Sequence, residues 1–321
     1  VAGEGPGLVG ADDGRRAEGL DRGQPLDDRT VSRHPLDAEG EDDGDDASGG
    51  DGAGSLDERD ADDADDEKAI LAAMAKDNVE AHLWDGGAFD PAWLDGADAL
   101  LISTPPGDAG CPAYNAASKF IAERKSRVQW IGYLSTNGVY GDHDGAWVSE
   151  ESELRTKSPR GLRRIEAERS WLSLADKHDL PLIVFRLPGI YGPGRSAFES
   201  VRAGTARRIF KKDQVFSRMH VEDIANALNA SMAAARLHRI YNLADDEPAP
   251  PQDVIEYACK LLGLEPPPLI PLEEAELSPM AKSFYADNKR VSNGRMKSAL
   301  GFTPAYPTYR EGLEAILKSE T

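Results

Sequence analysis

The polar side chains that could do chemistry are concentrated in four loops, which follow Ser103, Ser135, Leu187 and Leu243. Each loop comes directly after a short apolar segment that is typical of a buried strand. In sheets of parallel strands, ligands bind beyond the carboxyl ends of the strands, where such loops meet. The sequence therefore predicts one binding site where these loops come together. The six His residues show no H-x-x-x-H or H-x-H spacing, so no metal site is predicted.

Strands and helices alternate along the part of the chain that would position these loops. The predicted strands span residues 79–84, 98–103, 128–135, 182–187 and 239–243, and the predicted helices span residues 68–76, 113–125, 160–177, 221–235 and 252–262. Ser292 is predicted to cap a further short helix that ends at Gly301. Because strands alternate with helices, we predict an α/β fold with a doubly wound parallel sheet and helices on both faces.

Four segments at the predicted strand ends resemble motifs of the extended short-chain dehydrogenase/reductase family, the NAD(P)-dependent sugar-nucleotide epimerases and dehydratases. The segments are STNGVYGD (135–142), RLPGIYGPGR (186–195), HVEDIA (220–225) and YNL (241–243), in the family's order and spacing. The resemblance implies a Rossmann-like domain that binds NAD or NADP, with NADP slightly preferred, and a small C-terminal α/β lobe that binds a sugar-like or nucleotide-linked substrate. The implied chemistry is hydride transfer.

The same resemblance assigns roles to individual residues. Thr136 matches the family's hydroxyl group, which polarises the reacting oxygen of the substrate. The implied cofactor contacts are Ser103, Thr104, Pro105, Pro188 and Gly189, and the implied substrate contacts are Tyr191, Arg195 and His220.

Two positions depart from the family's Y-x-x-x-K motif. Arg160 stands where the catalytic Tyr is expected, and Arg164 stands where the Lys is expected. Arg is effectively always protonated, so it cannot replace a phenol that transfers a proton. We expect Arg160 and Arg164 to bind an anionic group of the cofactor or substrate. The departure resembles the atypical members of the superfamily, whose catalytic residues are eroded.

Two hypotheses about function follow from this departure. The first is an NAD(P)-dependent oxidoreductase or epimerase whose activity is impaired in this chain. The second is a non-catalytic sensor or scaffold protein that binds NAD(P). Tyr140 and Tyr191 are candidate substitute phenols, although the alternative that they pack against the cofactor is favoured.

A cluster of basic residues surrounds the predicted helix 160–177. Because Glu166 and Glu168 interrupt the cluster, a solvated helix face is favoured over a nucleic-acid patch. The basic residues are Arg155, Lys157, Arg160, Arg163, Arg164 and Arg169.

Residues 1–66 differ sharply in composition from the rest of the chain. They contain 22 acidic residues against 6 arginines, a net charge of −16, whereas the remaining residues carry a net charge of −4. They lack Phe, Tyr, Met, Ile, Asn, Lys, Trp and Cys. Such a segment cannot bury enough apolar surface to offset its ordering entropy, so we predict that it is disordered or poorly packed. Two origins are compatible with this composition: a genuine acidic tail, and translation of GC-rich DNA in the wrong reading frame. Val1 also fits the second origin, as a GTG codon that was translated literally.

This composition has consequences for the predicted domains. We predict an acidic segment at 1–66, an incomplete Rossmann-like domain at 67–245, and a C-terminal substrate lobe at 246–321 with contributions from 189–218. The G-x-G-x-x-G match at 5–10 lacks a preceding strand and an apolar helix after it. The first strands of the sheet are therefore expected to be missing, and dinucleotide binding is expected to be very weak or absent.

Partners and location are less strongly indicated. The two cysteines form no disulfide framework, and no apolar run reaches the ~18 residues that span a bilayer, which favours a cytoplasmic protein. We expect a small-molecule substrate, no nucleic acid and no membrane. The resemblance also allows a homodimer through the helices near 113–125 and 160–177.

Overall fold

Parallel strands and flanking helices make up the part of the chain that the structure, a computed structural model, describes: residues 30–33, 80–84, 87–234, 238–277 and 279–320. The strands are β1 (Thr30–Arg33), β2 (Glu80–Leu83), β3 (Ala99–Ile102), β4 (Trp130–Thr136), β5 (Trp147–Val148), β6 (Leu182–Leu187), β7 (Gly189–Tyr191), β8 (Arg208–Phe210), β9 (Arg218–His220), β10 (Ile240–Asn242), β11 (Leu269–Pro271) and β12 (Arg290–Val291). The α-helices are α1 (Pro112–Glu123), α2 (Pro159–His178), α3 (Ala197–Arg202), α4 (Val221–Ala233), α5 (Pro251–Leu262), α6 (Pro279–Ala286), α7 (Gly294–Leu300) and α8 (Tyr309–Ser319).

Four parallel strands form the central sheet, in the order β10-β6-β4-β3. In register, Thr136 at the end of β4 lies beside Leu187 at the end of β6, and Asn242 at the end of β10 lies beside Arg186. Since all four strands run the same way, their carboxyl ends open at one edge of the sheet. That edge is where the predicted site loops begin.

Helices cover both faces of this sheet, as the alternating pattern predicted. On β6, Leu182 and Val184 pack with Trp171 of α2, whereas Ile183 and Phe185 pack with Ile224 of α4. A strand buried on both faces has no polar alternation, which explains the continuous apolar run in this segment. The predicted doubly wound α/β architecture is confirmed.

The long helix α2 begins and ends where its sequence dictates. The Ser158 side chain accepts a hydrogen bond from the Gly161 backbone N–H at 3.0 Å, and Pro159 occupies the first helical position. This arrangement satisfies a backbone donor that the first turn leaves unpaired. The helix ends at Asp179, which adopts a left-handed conformation with φ of 54°.

The beginning of the chain departs from one expectation. β1 lies within the segment predicted to be disordered, and it pairs in parallel with β2 in a separate two-stranded sheet. These four residues therefore pair with a strand that local composition does not reveal, and the rest of the segment lies outside the described residues. The predicted helix 68–76 and the G-x-G-x-x-G match lie outside the described residues.

Residues from two separate stretches of the chain share a core beside the central sheet. Tyr191 and Phe198 pack there with Cys259 of α5 and with Tyr309 and Leu313 of α8. This core is where the predicted substrate lobe would lie, although the domain boundaries stay a prediction. Among the described residues, no helix is both long enough and apolar enough to span a bilayer.

The cap of α7 differs slightly from the prediction. The residue at the N-cap position is Asn293, not Ser292, and Asn293 makes no capping hydrogen bond with its side chain. The Ser292 hydroxyl nevertheless accepts a hydrogen bond from the Gly294 backbone N–H at 3.3 Å. The helix ends at Gly301 in a left-handed conformation, as predicted.

Candidate functional site

The predicted cofactor loops meet at the carboxyl edge of the central sheet. Ser103 and Pro105, which follow β3, are exposed, and Gly189, which follows β6, is also exposed. Thr104 and Pro188 are buried beneath them. The structure thus brings these five residues to one edge, while their role in binding a cofactor stays a prediction.

Thr136 lies at the centre of this edge and retains a hydroxyl proton to donate. Its Oγ1 accepts a hydrogen bond from the Gly138 backbone N–H at 3.1 Å, which begins the short 3₁₀ helix Asn137–Tyr140. A Thr hydroxyl offers one donor in addition to its acceptor lone pairs. The capping bond therefore fixes the oxygen in place and leaves the O–H available to a ligand.

Arg164 is held against the sheet close to Thr136. Its Nη1 donates to the backbone oxygen of Leu134 at 3.0 Å and to the Tyr133 hydroxyl at 3.1 Å. Burial raises the pKa of Tyr133 to about 12, so this phenol stays neutral near pH 7. Arg160 is exposed in the first turn of α2, one turn before Arg164.

The predicted substrate residues lie beyond β6. Tyr191 and His220 are adjacent in the β7–β9 register, and their rings meet edge to face with centroids 5.2 Å apart. Arg195 is exposed in a turn closed by two hydrogen bonds with Gly192, at 3.0 and 3.1 Å. His220 caps α4 by accepting from the Glu222 backbone N–H. Their roles in substrate binding stay predictions.

Neither candidate substitute phenol is exposed to a substrate. Tyr140 is fully buried, and its hydroxyl donates to Asn242 Oδ1 at 2.7 Å while it accepts from Arg186 Nη1 at 3.0 Å. Burial raises the pKa of Tyr140 above its ordinary value. The Tyr191 hydroxyl donates to the Thr308 backbone oxygen at 3.4 Å, and burial likewise raises its pKa. Both tyrosines therefore support the packing interpretation.

A buried ion pair lies beneath the site, and sequence reasoning missed it. Arg186 Nη2 donates to Glu168 Oε2 at 2.7 Å, both side chains are 3% exposed, and Ser135 also donates to Glu168. Glu168 had been grouped with the solvated face of α2. The signal against that grouping is its spacing, because Ile165 and Trp171, three residues before and after it, both face inward.

Four of the six residues in the basic cluster are solvated, as the favoured interpretation predicted, whereas Arg163 and Arg164 are half-buried. The exposed members are Arg155, Lys157, Arg160 and Arg169. Arg169 lies 3.6 Å from Glu166 in an ion pair whose side chains are both 72% exposed. Such an exposed pair contributes little to stability.

The fold and its carboxyl-edge loops define a class, the Rossmann-like α/β proteins. A profile of the NAD dependent epimerase/dehydratase family matches residues 120–244. A conserved protein of unknown function from Silicibacter pomeroyi DSS is 50% identical, with 78% of this chain and 86% of that chain covered and a TM-score of 0.73. Residues 120–244 therefore belong to the NAD-dependent epimerase/dehydratase family.

Two further relatives are more distant. A 3-diazoavenalumate denitrifying reductase from a Streptomyces species is 29% identical over 153 residues, or 44% of this chain and 48% of that protein. The chain thus spans about half the length of this curated relative. The structure of UDP-glucuronic acid 4-epimerase from Bacillus cereus in complex with NAD is 15% identical, with a TM-score of 0.62. The matched region covers 80% of this chain and 86% of the epimerase. That likeness shows the fold alone.

Proposed function

We propose that this chain is an NAD(P)-dependent oxidoreductase or epimerase of the atypical short-chain dehydrogenase type. Its substrate is sugar-like or nucleotide-linked. The observation that supports the proposal most directly is the convergence of the loops after β3, β4 and β6 around Thr136 at one sheet edge. Family membership supports the same class of chemistry.

The residues at this edge suit the nicotinamide end of a dinucleotide. Pro105, Gly189 and Ile190 present exposed backbone and apolar atoms, against which a flat ring can pack. Ser103 and Thr136 add hydroxyl groups that can hydrogen-bond a carboxamide or a reacting oxygen. When bound, NAD(P) supplies or accepts a hydride.

Thr136 and the arginines of α2 would have different roles in binding the substrate. The Thr136 hydroxyl donates to the reacting oxygen from a position that its capping bond has already fixed. Arg164, anchored on Leu134, supplies positive charge beside that oxygen, and Arg160 lies one turn away at the protein surface. Because Tyr140 and Tyr191 are buried and hydrogen-bonded, turnover that needs a phenol as proton donor is impaired.

The burial of both candidate phenols also favours a second function. A protein that binds NAD(P) without turning it over would act as a sensor or scaffold and would need no proton-transferring group. Transfer of deuterium distinguishes the two functions, either from deuterated NADH or NADPH to the 4-keto forms of UDP-glucose and UDP-glucuronic acid, or from deuterated UDP-glucose or UDP-glucuronic acid to NAD or NADP. Exchange into any of these sugars supports the enzyme, whereas cofactor binding without exchange supports the sensor.

Replacing Thr136 by Val tests its assigned role. We expect Thr136→Val to lower the exchange rate about 100-fold, because removal of one preorganised donor to a developing oxyanion has an effect of that order. Thr136→Ser keeps the hydroxyl and is expected to retain most of the rate. Exchange is measured by mass spectrometry of the sugar.

Thr205 provides a matched control for this substitution. It is exposed beyond α3, where its hydroxyl donates only to the Ser200 backbone oxygen at 3.4 Å. Thr205→Val is expected to leave the exchange rate unchanged. An unchanged rate in folded Thr136→Val would show that the hydroxyl does not act on the reacting oxygen.

A further inference from the structure

Three side chains near the predicted substrate residues have buried polar atoms with no hydrogen-bond partner among the described residues. These atoms are Nη1 of Arg218, Nε2 of His220 and both carboxylate oxygens of Asp245. His220 is 2% exposed and Asp245 is 1% exposed. A buried polar atom without a partner costs free energy, so a group of them calls for a partner such as an ordered water molecule or a bound ligand.

The three side chains belong to one cluster. Arg218 and His220 alternate along β9 and therefore point to the same face of that strand. The Asp245 backbone N–H donates to the Arg218 backbone oxygen at 2.8 Å, which joins β9 to the turn after β10. Burial raises the pKa of the Tyr191 phenol most strongly, the Asp245 carboxylate raises it further, and the charge of Arg218 lowers it.

The cluster offers both donors and acceptors. Arg218 can only donate, whereas a carboxyl group accepts in either protonation state. His220 Nδ1 accepts from the Glu222 backbone N–H at 3.3 Å, so its ring proton lies on Nε2, and burial lowers its pKa below the ordinary value. His220 is therefore a neutral donor. The atoms without a partner are therefore two donors, one on Arg218 and one on His220, and the two carboxyl oxygens of Asp245.

A pair of hydroxyl groups matches this set better than an ion does. Each hydroxyl donates one hydrogen bond and accepts others, so it can bridge Arg218 or His220 to Asp245. A phosphate would satisfy the donors only below the pKa of Asp245, which burial raises to about 8, because the ionised carboxylate would repel it, and an ammonium group would be repelled by Arg218. Hydroxyls are compatible with the carboxyl group in either protonation state.

The cluster lies next to the predicted cofactor contacts and reaches the surface. Arg218 is half-buried, and its backbone pairs in register with Gly189. The Arg218 guanidinium also lies 5.6 Å from the centre of the Tyr309 ring of α8. A ligand that extends from the sheet edge past Gly189 would therefore meet Arg218 first.

We propose that Arg218, His220 and Asp245 bind two hydroxyl groups of a neutral sugar ring. The inference rests on the proposed function, because it places the sugar beside the edge assigned to the nicotinamide. It adds residues that determine specificity for an uncharged sugar. The anionic or nucleoside part of the substrate lies outside this cluster.

Calorimetric titrations with UDP-glucose and UDP test the proposal, since UDP lacks the sugar and carries an additional charge on its free terminal phosphate. We expect the wild-type protein to bind UDP-glucose at least about tenfold more tightly than UDP, as one or two hydrogen bonds to charged groups provide. Asp245→Ala and Arg218→Met are each expected to remove that difference. The preference for UDP-glucose is expected to persist at about pH 9, where Asp245 is ionised.

Asp246 provides the matched control, because it is the exposed neighbour of Asp245 and pairs with Lys297 at 2.6 Å. Asp246→Ala is expected to keep the wild-type preference. Thermal unfolding shows whether each variant is folded. One folded variant, at either Asp245 or Arg218, is enough to test whether the preference for UDP-glucose depends on the cluster.

Four results would overturn the proposal. They are equal affinity for UDP-glucose and UDP, an unchanged preference in a folded variant, displacement of UDP-glucose from the cluster by inorganic phosphate, and a UDP-glucose complex in which the three side chains contact ordered water only. NADPH binding is measured without sugar, so its failure would count against the proposed function and not against this cluster.

Discussion

Glu168→Ala is expected to destabilise the protein by about 3–5 kcal/mol, the usual range when one partner of a buried ion pair is removed. The substitution leaves the Arg186 guanidinium buried, with only Tyr140 at 3.0 Å as a remaining side-chain partner of those described. It also removes the acceptor of the Ser135 hydroxyl. Urea denaturation measures the change in the free energy of unfolding.

Glu166→Ala is the matched control on the same helix. Its ion pair with Arg169 has side chains that are 72% exposed, so the substitution is expected to change stability by less than about 0.5 kcal/mol. The location of the pair matters for function, because Arg186 is in register with Ser135, the residue before Thr136. Similar losses for the two variants would contradict the assignment of Glu168 to the interior.

The stability of the protein is expected to fall by about 2 kcal/mol between about pH 6.5 and about pH 8.5, through the ionisation of Asp245. Burial raises the pKa of this carboxyl group from 3.8 to about 8, although the charge of Arg218 partly opposes the shift. In this interval the folded state holds a proton that the unfolded state has lost. The stabilisation is therefore complete below the ordinary pKa and disappears as the pH rises through the folded value.

Asp245→Asn isolates this effect, because it removes one titrating group and keeps the shape of the side chain. We expect the variant to lose the additional fall in stability over this interval, while Asp246→Asn keeps the wild-type pH dependence. Chemical denaturation at several pH values gives the comparison. A wild-type slope that persists in Asp245→Asn would assign the pH dependence to other groups.

Much of the fold could be predicted because its signals are local. The apolar run 182–187 coincides with β6 residue for residue, and the predicted helix 160–177 lies within one residue of α2 at each end. Apolar periodicity and capping depend only on residues a few positions apart, so both can be recognised in the sequence. The convergence of the loops then follows from the parallel order of the strands.

The features that could not be predicted depend on distant contacts. In the sequence, Glu168 resembles the other charged residues of a basic helix. In the structure its side chain faces inward and pairs with Arg186, which lies on a strand 18 residues further along the chain. Asp245 and Arg218 come together only because the turn after β10 lies against β9. β1 forms because β2 is available as its partner, about 50 positions further along the chain.

The central claim is that the edge formed by the ends of β3, β4 and β6 holds the nicotinamide of NAD(P). Hydrogen exchange measured with and without NADPH or NADH, at concentrations on the order of 10 mM to allow for weak binding, tests it directly. The account predicts slower exchange of the backbone amides in 103–107, 136–138 and 189–191, and no change within α5. Protection confined to other segments, or no protection at this edge with either cofactor, would contradict the account.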